Sequence, residues 1–175
     1  LATITKVSDI TSQELAGYLR LEPEGLSDAE EFELDTLLSV AKSFIRSFTG
    51  ISDSQITDEI VGVGDGVKSV FYVLNTPVVP DSQTVYVNSV AETEGVDYIF
   101  KDTSGAIGFM ISSIPAIGES ITASYQIGLD AYPDFVIVVY ILVQDMYDNR
   151  AFYVDKNNLN RVVDTILGMH SINLL

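Results

Sequence analysis

The sequence has no cysteine, no tryptophan and one histidine, His170. Without thiols there is no disulfide scaffold, thiolate zinc site, iron–sulfur cluster or cysteine nucleophile. One histidine rules out a multi-histidine metal site within the chain and argues against a Ser–His–Asp hydrolase. Cations are scarce too: 9 lysines and arginines face 25 aspartates and glutamates, a formal charge of −16. Proteins that hold nucleic acid by its phosphates rest on cation contacts and present a basic face. That mode of DNA or RNA binding is therefore excluded. Long apolar runs are missing as well. The run Phe135–Val143 has nine residues, against the roughly 20 that a membrane helix needs. Residues 1–6 lack a basic stretch followed by an apolar one, so no secretory leader is expected here.

What is present suits a folded protein. Hydrophobic residues make up 47% and charged residues only 19%, which separates the chain from disordered acidic tails. A length of 175 residues fits one domain, or a domain carrying an insertion. The absence of cysteine is compatible with a reducing cytoplasm.

Hydrophobic periodicity divides the chain into three. In the first part, Thr11–Glu14 and Ser27–Glu30 both have capping-box spacing, in which a hydroxyl and a carboxylate satisfy free N–H groups at a helix start. Leu34, Leu37, Leu38, Ala41, Phe44, Ile45 and Phe48 repeat at three and four residues. They predict a long amphipathic helix closed by Gly50. From about residue 60 the period changes to two. Strands are expected at 67–74, 83–90, 96–101, 106–112 and 120–127, separated by Gly, Pro, Asp and Asn turns. After residue 131 the pattern is helical again. Pro133 and Asp134 suit a helix start. Phe135–Tyr147 is apolar on nearly every side and is expected in the core. Leu159, Val162, Val163, Ile166 and Leu167 predict a last helix ending at Gly168. The expected fold is α+β: a helical core of about four helices from residues 1–58 and 132–175, with an antiparallel β module at 59–131.

Charge follows the same division. Residues 1–60 carry 4 basic and 12 acidic side chains, residues 61–131 carry 2 and 8, and residues 132–175 carry 3 and 5. The negative charge belongs to the front helices and the β module.

Three stretches resemble the head–tail connector (adaptor, or head-completion) proteins of tailed bacteriophages. They are Ile10–Leu21, ending in a Tyr-Leu-Arg step, Ala41–Gly50, closing on Thr-Gly, and Val139–Arg150, ending in Tyr-Asp-Asn-Arg. All three occur in the family's order, and Ile166–Met169 is similar to its last helix. Many relatives join the second and third helices by a short loop, whereas here the β segment intervenes. Gly64–Gly66, Val85–Asn88, Asp97–Tyr98, Gly105–Ile107 and Pro115–Gly118 give that insertion the rhythm of a β module common in phage virion proteins. The tail lacks the arginine that often follows the family's last helix. The resemblance implies a non-enzymatic structural protein of the virion, located at the head–tail junction and assembled in the host cytoplasm. It implies a homo-oligomeric ring, usually of twelve copies, beneath the portal protein. Such a ring extends the DNA conduit without specific DNA binding and docks a stopper or tail protein. It implies no cofactor, metal or membrane.

Site candidates follow. The C-terminal residues Met169, His170, Ile172, Leu174 and Leu175 are candidates for portal contact, because the family's C-terminal segment engages the portal and this one is apolar. Arg46, Asp148, Arg150 and Arg161 are candidates for inter-subunit pairing, since arginine suits interface ion pairs. Glu22, Glu24, Asp28, Glu30 and Glu31 are candidates for lining the channel, where like charge keeps DNA from adhering. The same acids also suit a solvated helix start. Gly62, Gly64 and Gly66 read as a turn rather than a phosphate loop, because no Gly-Lys-Ser/Thr follows. Two further classes of function fit parts of the sequence. A tail or baseplate accessory could recognise a host glycan through the β insertion and its tyrosines. An enzyme would have only carboxylate chemistry, which needs two facing acids in a cleft.

Overall fold

The computed structural model describes residues 4–149 and 160–171. The fold is α+β, with helices and antiparallel sheets in two compact units. Leu1–Ser52 and Tyr132–Leu175 form one, and Asp53–Ala131 the other.

In the helical unit, α1 (Ser12–Tyr18) and α2 (Asp28–Thr49) start at the two capping boxes. Thr11 N–H donates to Glu14 at 2.9 Å and Ser27 N–H to Glu30 at 2.9 Å, while each hydroxyl accepts the N–H three residues on. A hydroxyl cap of this kind contributes about 1 kcal/mol. The hydroxyl and N–H of Ser27 draw the Glu30 carboxyl below its usual range. Helix α2 closes at Gly50, whose φ of 77° only glycine adopts without strain, and whose N–H reaches the Arg46 carbonyl. Leu34, Leu37, Leu38, Ala41 and Ile45 are buried. Phe44 and Phe48 flank that stripe, half-buried, with ring centroids 6.1 Å apart.

Helix α3 (Phe135–Asn149) buries Phe135, Val138, Val139, Leu142, Val143 and Met146 and packs against α1, α2 and α4 (Arg161–His170). Two expectations need correction. Helix α3 starts two residues after Pro133, because the N–H groups of Phe135 and Val136 turn back to the carbonyls of Tyr132 and Pro133. Helix α4 runs through Gly168 to His170. Gly168 keeps a negative φ, and side-chain contacts of His170 hold the last turn. Leu159, expected on this helix, lies outside the described residues.

The β unit has seven strands: β1 (Ser54–Val63), β2 (Val70–Tyr72), β3 (Thr84–Val87), β4 (Val90–Ala91), β5 (Tyr98–Lys101), β6 (Ala106–Phe109) and β7 (Ser120–Ile127). They form two antiparallel sheets, ordered β1-β7-β3-β4 and β2-β6-β5. The core between them holds Phe71, Val85, Tyr98, Ile107, Ile121 and Tyr125, among others. Five strands were expected, so β1 and β4 are additions. Register shifts at Ile56/Glu59 and Ile60/Gly62 are β-bulges, and they break the alternation that would announce β1. Strand β4 returns from β3 through Asn88 and Ser89, both at positive φ, the geometry of a two-residue hairpin turn.

Candidate assembly surfaces

The five channel candidates lie at or just before the start of α2. Glu22 and Glu24 flank Pro23 in a 3-10 turn, Asp28, Glu30 and Glu31 occupy the first helical turn, and all five are exposed. Two of them also have tasks within the chain. Glu30 completes the Ser27 capping box, and Glu31 accepts the Ser12 hydroxyl at 3.3 Å, tying α1 to α2. One residue of this surface was missed. Phe32, 74% exposed, stands nearly opposite the buried stripe at 100° per residue. From Leu21 to Ala41 the chain has seven acids and no lysine or arginine. The signal available in the sequence was an aromatic residue off the helical stripe.

The inter-subunit candidates are spread over three helices. Arg46 is half-buried in the last turn of α2, Arg161 opens α4, and Asp148 is exposed near the end of α3. Arg150 lies outside the described residues. Asp148 lines a cleft of about 380 Å³ with Tyr18, Leu19, Arg20 and Gln144. Burial, and then the charge of Asp148, push the nearby Asp145 carboxyl above its usual range.

The portal candidates divide. His170 is engaged within its own unit: Nε2 stands 2.7 Å from Asp134 Oδ2, and the ring meets Tyr132 and Phe135 edge-on at 4.7 and 5.2 Å. Met169, beside it on α4, is 65% exposed. Ile172, Leu174 and Leu175 lie outside the described residues.

In the β unit the four tyrosines form no common platform. Tyr98 and Tyr125 are buried, while Tyr72 and Tyr86 belong to different sheets. Tyr125 donates its hydroxyl proton to Glu59 and accepts from the backbone N–H and side-chain amide of Asn75, each at 3.2 Å. Glu59 also accepts the Leu74 N–H at 2.8 Å. The knot pins the segment after β2 to the bulged part of β1. Of the three glycines expected in a turn, Gly62 instead pairs with Ile121 in the bulged end of β1, while Gly64 and Gly66 belong to the turn leading into β2. Asp65 there accepts the N–H groups of Val67 and Lys68 at 2.8 and 2.6 Å.

Four phenols carry a pH prediction. Burial raises Tyr98, Tyr125, Tyr132 and Tyr140, with Glu94, Glu59, Asp134 and Glu14 respectively adding to it. The native state therefore keeps protons that the unfolded chain releases near the ordinary phenol value of about 10. Their contribution is full below that pH and is lost as pH rises through the higher folded values. The urea midpoint should fall between pH 8 and pH 10.5, and less steeply in Tyr125→Phe. Equal midpoints at the two pH values would refute this.

On the outer face of the β2-β6-β5 sheet, the register sets Val70, Gly108 and Ile99 in one row and Tyr72, Ala106 and Lys101 in the next. Among the described residues no group of three His, Asp or Glu side chains could hold a metal ion, and no helix is long and apolar enough to cross a membrane.

No family model and no curated protein matches the chain. Among solved structures it is similar to a chain in the neck of an empty gene transfer agent particle computed with C6 symmetry. The identity is 17%, over 99% of this chain and 95% of that one, with a TM-score of 0.47. It is also similar to a chain in the virion of a native gene transfer agent particle, at 15% identity, the same coverage and a TM-score of 0.41.

Proposed function

We propose that the chain is a structural subunit of a phage-type head–tail neck, forming a ring under the portal and docking a stopper or tail component. One observation carries this reading. The three stretches that resemble connector proteins lie far apart in sequence, yet α1, α2 and α3 pack against one another in one unit. The two helical flanks thus close one core from both ends of the sequence, the arrangement that the resemblance implies. Exposed Glu22 and Glu24 suit a conduit wall that repels phosphate. Exposed Met169, beside the anchored His170, suits portal contact, as do the apolar residues Ile172, Leu174 and Leu175. Tyr98 and Tyr125 are consumed by the β core, which weakens the glycan-binding alternative. Light scattering and electron microscopy of the full chain, alone and mixed with its portal protein, test the proposal. Rings, or stoichiometric portal binding, are expected. A chain that stays monomeric and ignores the portal under all conditions would overturn it.

A further inference from the structure

We propose that the outer face of the β2-β6-β5 sheet receives the acidic, Phe32-bearing start of α2 from a second copy of this chain. The inference rests on the reading of the chain as a ring subunit, and names a contact that closes the ring.

The receiving face is apolar and open. Tyr72 is 60% exposed and Ile99 53%. Between them run Ala106 and Gly108 of the central strand. A Cβ at Gly108 would approach nothing closer than 3.8 Å, so the missing side chain leaves a trough rather than relieving a clash. Exposed aromatic and aliphatic side chains around a shallow trough are the make-up of a docking surface.

Charge selects the occupant. Residues 53–131 carry eleven acids and two cations, Lys68 and Lys101. Lys101 projects from this face and is its one charged residue, and Lys68 lies just before β2. The complement is on the same chain: Phe32 with Asp28 and Asp35 one turn to either side, in a segment without a cation. An aromatic knob between carboxylates matches an apolar trough beside a lysine. Pairing this face with itself would set lysine against lysine and leave Phe32 uncovered. The strand edge is also closed to an added strand. Glu94 accepts the Phe100 N–H at 3.3 Å, and the Gly95 N–H donates to the Tyr98 carbonyl at 2.8 Å, so β5 offers its face rather than its edge. A contact between two different surfaces is heterologous, and repeated it generates a ring where its rotation closes and an open filament where it does not.

The cysteine-free sequence permits a direct test. Full-length chains carrying Ala29→Cys, one turn before Phe32, and Ala106→Cys, in the trough, are mixed and mildly oxidised. The mixed crosslink should exceed each self-crosslink. It should also exceed by about tenfold or more, as close interfacial charge pairs allow, the crosslink of Ala29→Cys to Thr122→Cys on the other sheet. Lys101→Glu in the Ala106→Cys chain should abolish the preference, and Asp35→Lys in the Ala29→Cys chain should restore it. That rescue separates lost contact from lost folding. A mixed yield equal to the Thr122→Cys control at the highest soluble concentration overturns the proposal, as does a yield indifferent to the charge swap. Wild-type rings without the preferential crosslink would overturn this contact alone. A preferential crosslink without rings or portal binding would overturn the neck reading and keep the contact.

Discussion

Alanine at Gly64 is expected to cost the β unit about 3–5 kcal/mol, combining overpacking with two disturbed backbone hydrogen bonds. Gly64 is buried. A Cβ there would lie 2.3 Å from the Ala116 carbonyl oxygen and 2.7 Å from that of Pro115. Both are backbone atoms, so no side chain can rotate away. The two segments are held together by the hydrogen bonds of Gly64 N–H to Glu119 and of Gly118 N–H to Gly64, at 2.8 and 3.0 Å. Making room for one methyl group separates them and strains both bonds. Gly95→Ala is the control. Gly95 has a φ of 80° but nothing within 4 Å of a Cβ, so it should lose only about 1–2 kcal/mol of backbone preference. Urea unfolding followed by circular dichroism distinguishes the two. A Gly64→Ala midpoint no lower than that of Gly95→Ala would show that the 114–119 loop yields freely.

Local chemistry made the helical unit legible. A capping box uses four consecutive residues, so Thr11–Glu14 and Ser27–Glu30 announce α1 and α2 without tertiary information. The α2 stripe and its Gly50 cap are similarly short-range. Gly168 likewise follows its stripe, but a tertiary contact decides its role: His170 reaches Asp134, 36 residues away, and holds the helix past the glycine. Strand β1 was hidden because its two bulges erase the period of two. The knot of Glu59 with Tyr125 spans 66 residues, beyond any local pattern. On the candidate surfaces, sequence reasoning found the acids that cluster before and in the first turn of α2. The capping box already gave Glu30 a task in the fold, but nothing local could separate Glu31, which takes the Ser12 hydroxyl from 19 residues away, from Glu22 and Glu24. Phe32 escaped because an off-stripe aromatic gains meaning only once its exposure is seen.

Phe135→Ala should destabilise the helical unit by about 3–5 kcal/mol, the range for deleting a buried aromatic ring. The side chain is fully buried, at the first residue of α3, where the chain re-enters the helical unit. Its ring stacks on Tyr132 at 4.9 Å and meets His170 edge-on at 5.2 Å, so one aromatic joins the turn before α3 to the last turn of α4. Removing it opens a cavity between two rings that are themselves anchored. Tyr132 is fixed in the turn by its carbonyl, which accepts the residue 135 N–H at 3.0 Å, and His170 is held by Asp134 at 2.7 Å. Neither can collapse into the space without giving up its partner, which places the expected cost toward the upper end. Phe135→Leu keeps most of the volume and should lose less than about 1.5 kcal/mol. Guanidinium unfolding of both variants, read by helical circular dichroism, makes the comparison. If the alanine variant loses no more than the leucine variant, the ring is not what ties α3 to α4. The junction would then rest on the Asp134–His170 pair and the Tyr132–His170 ring contact.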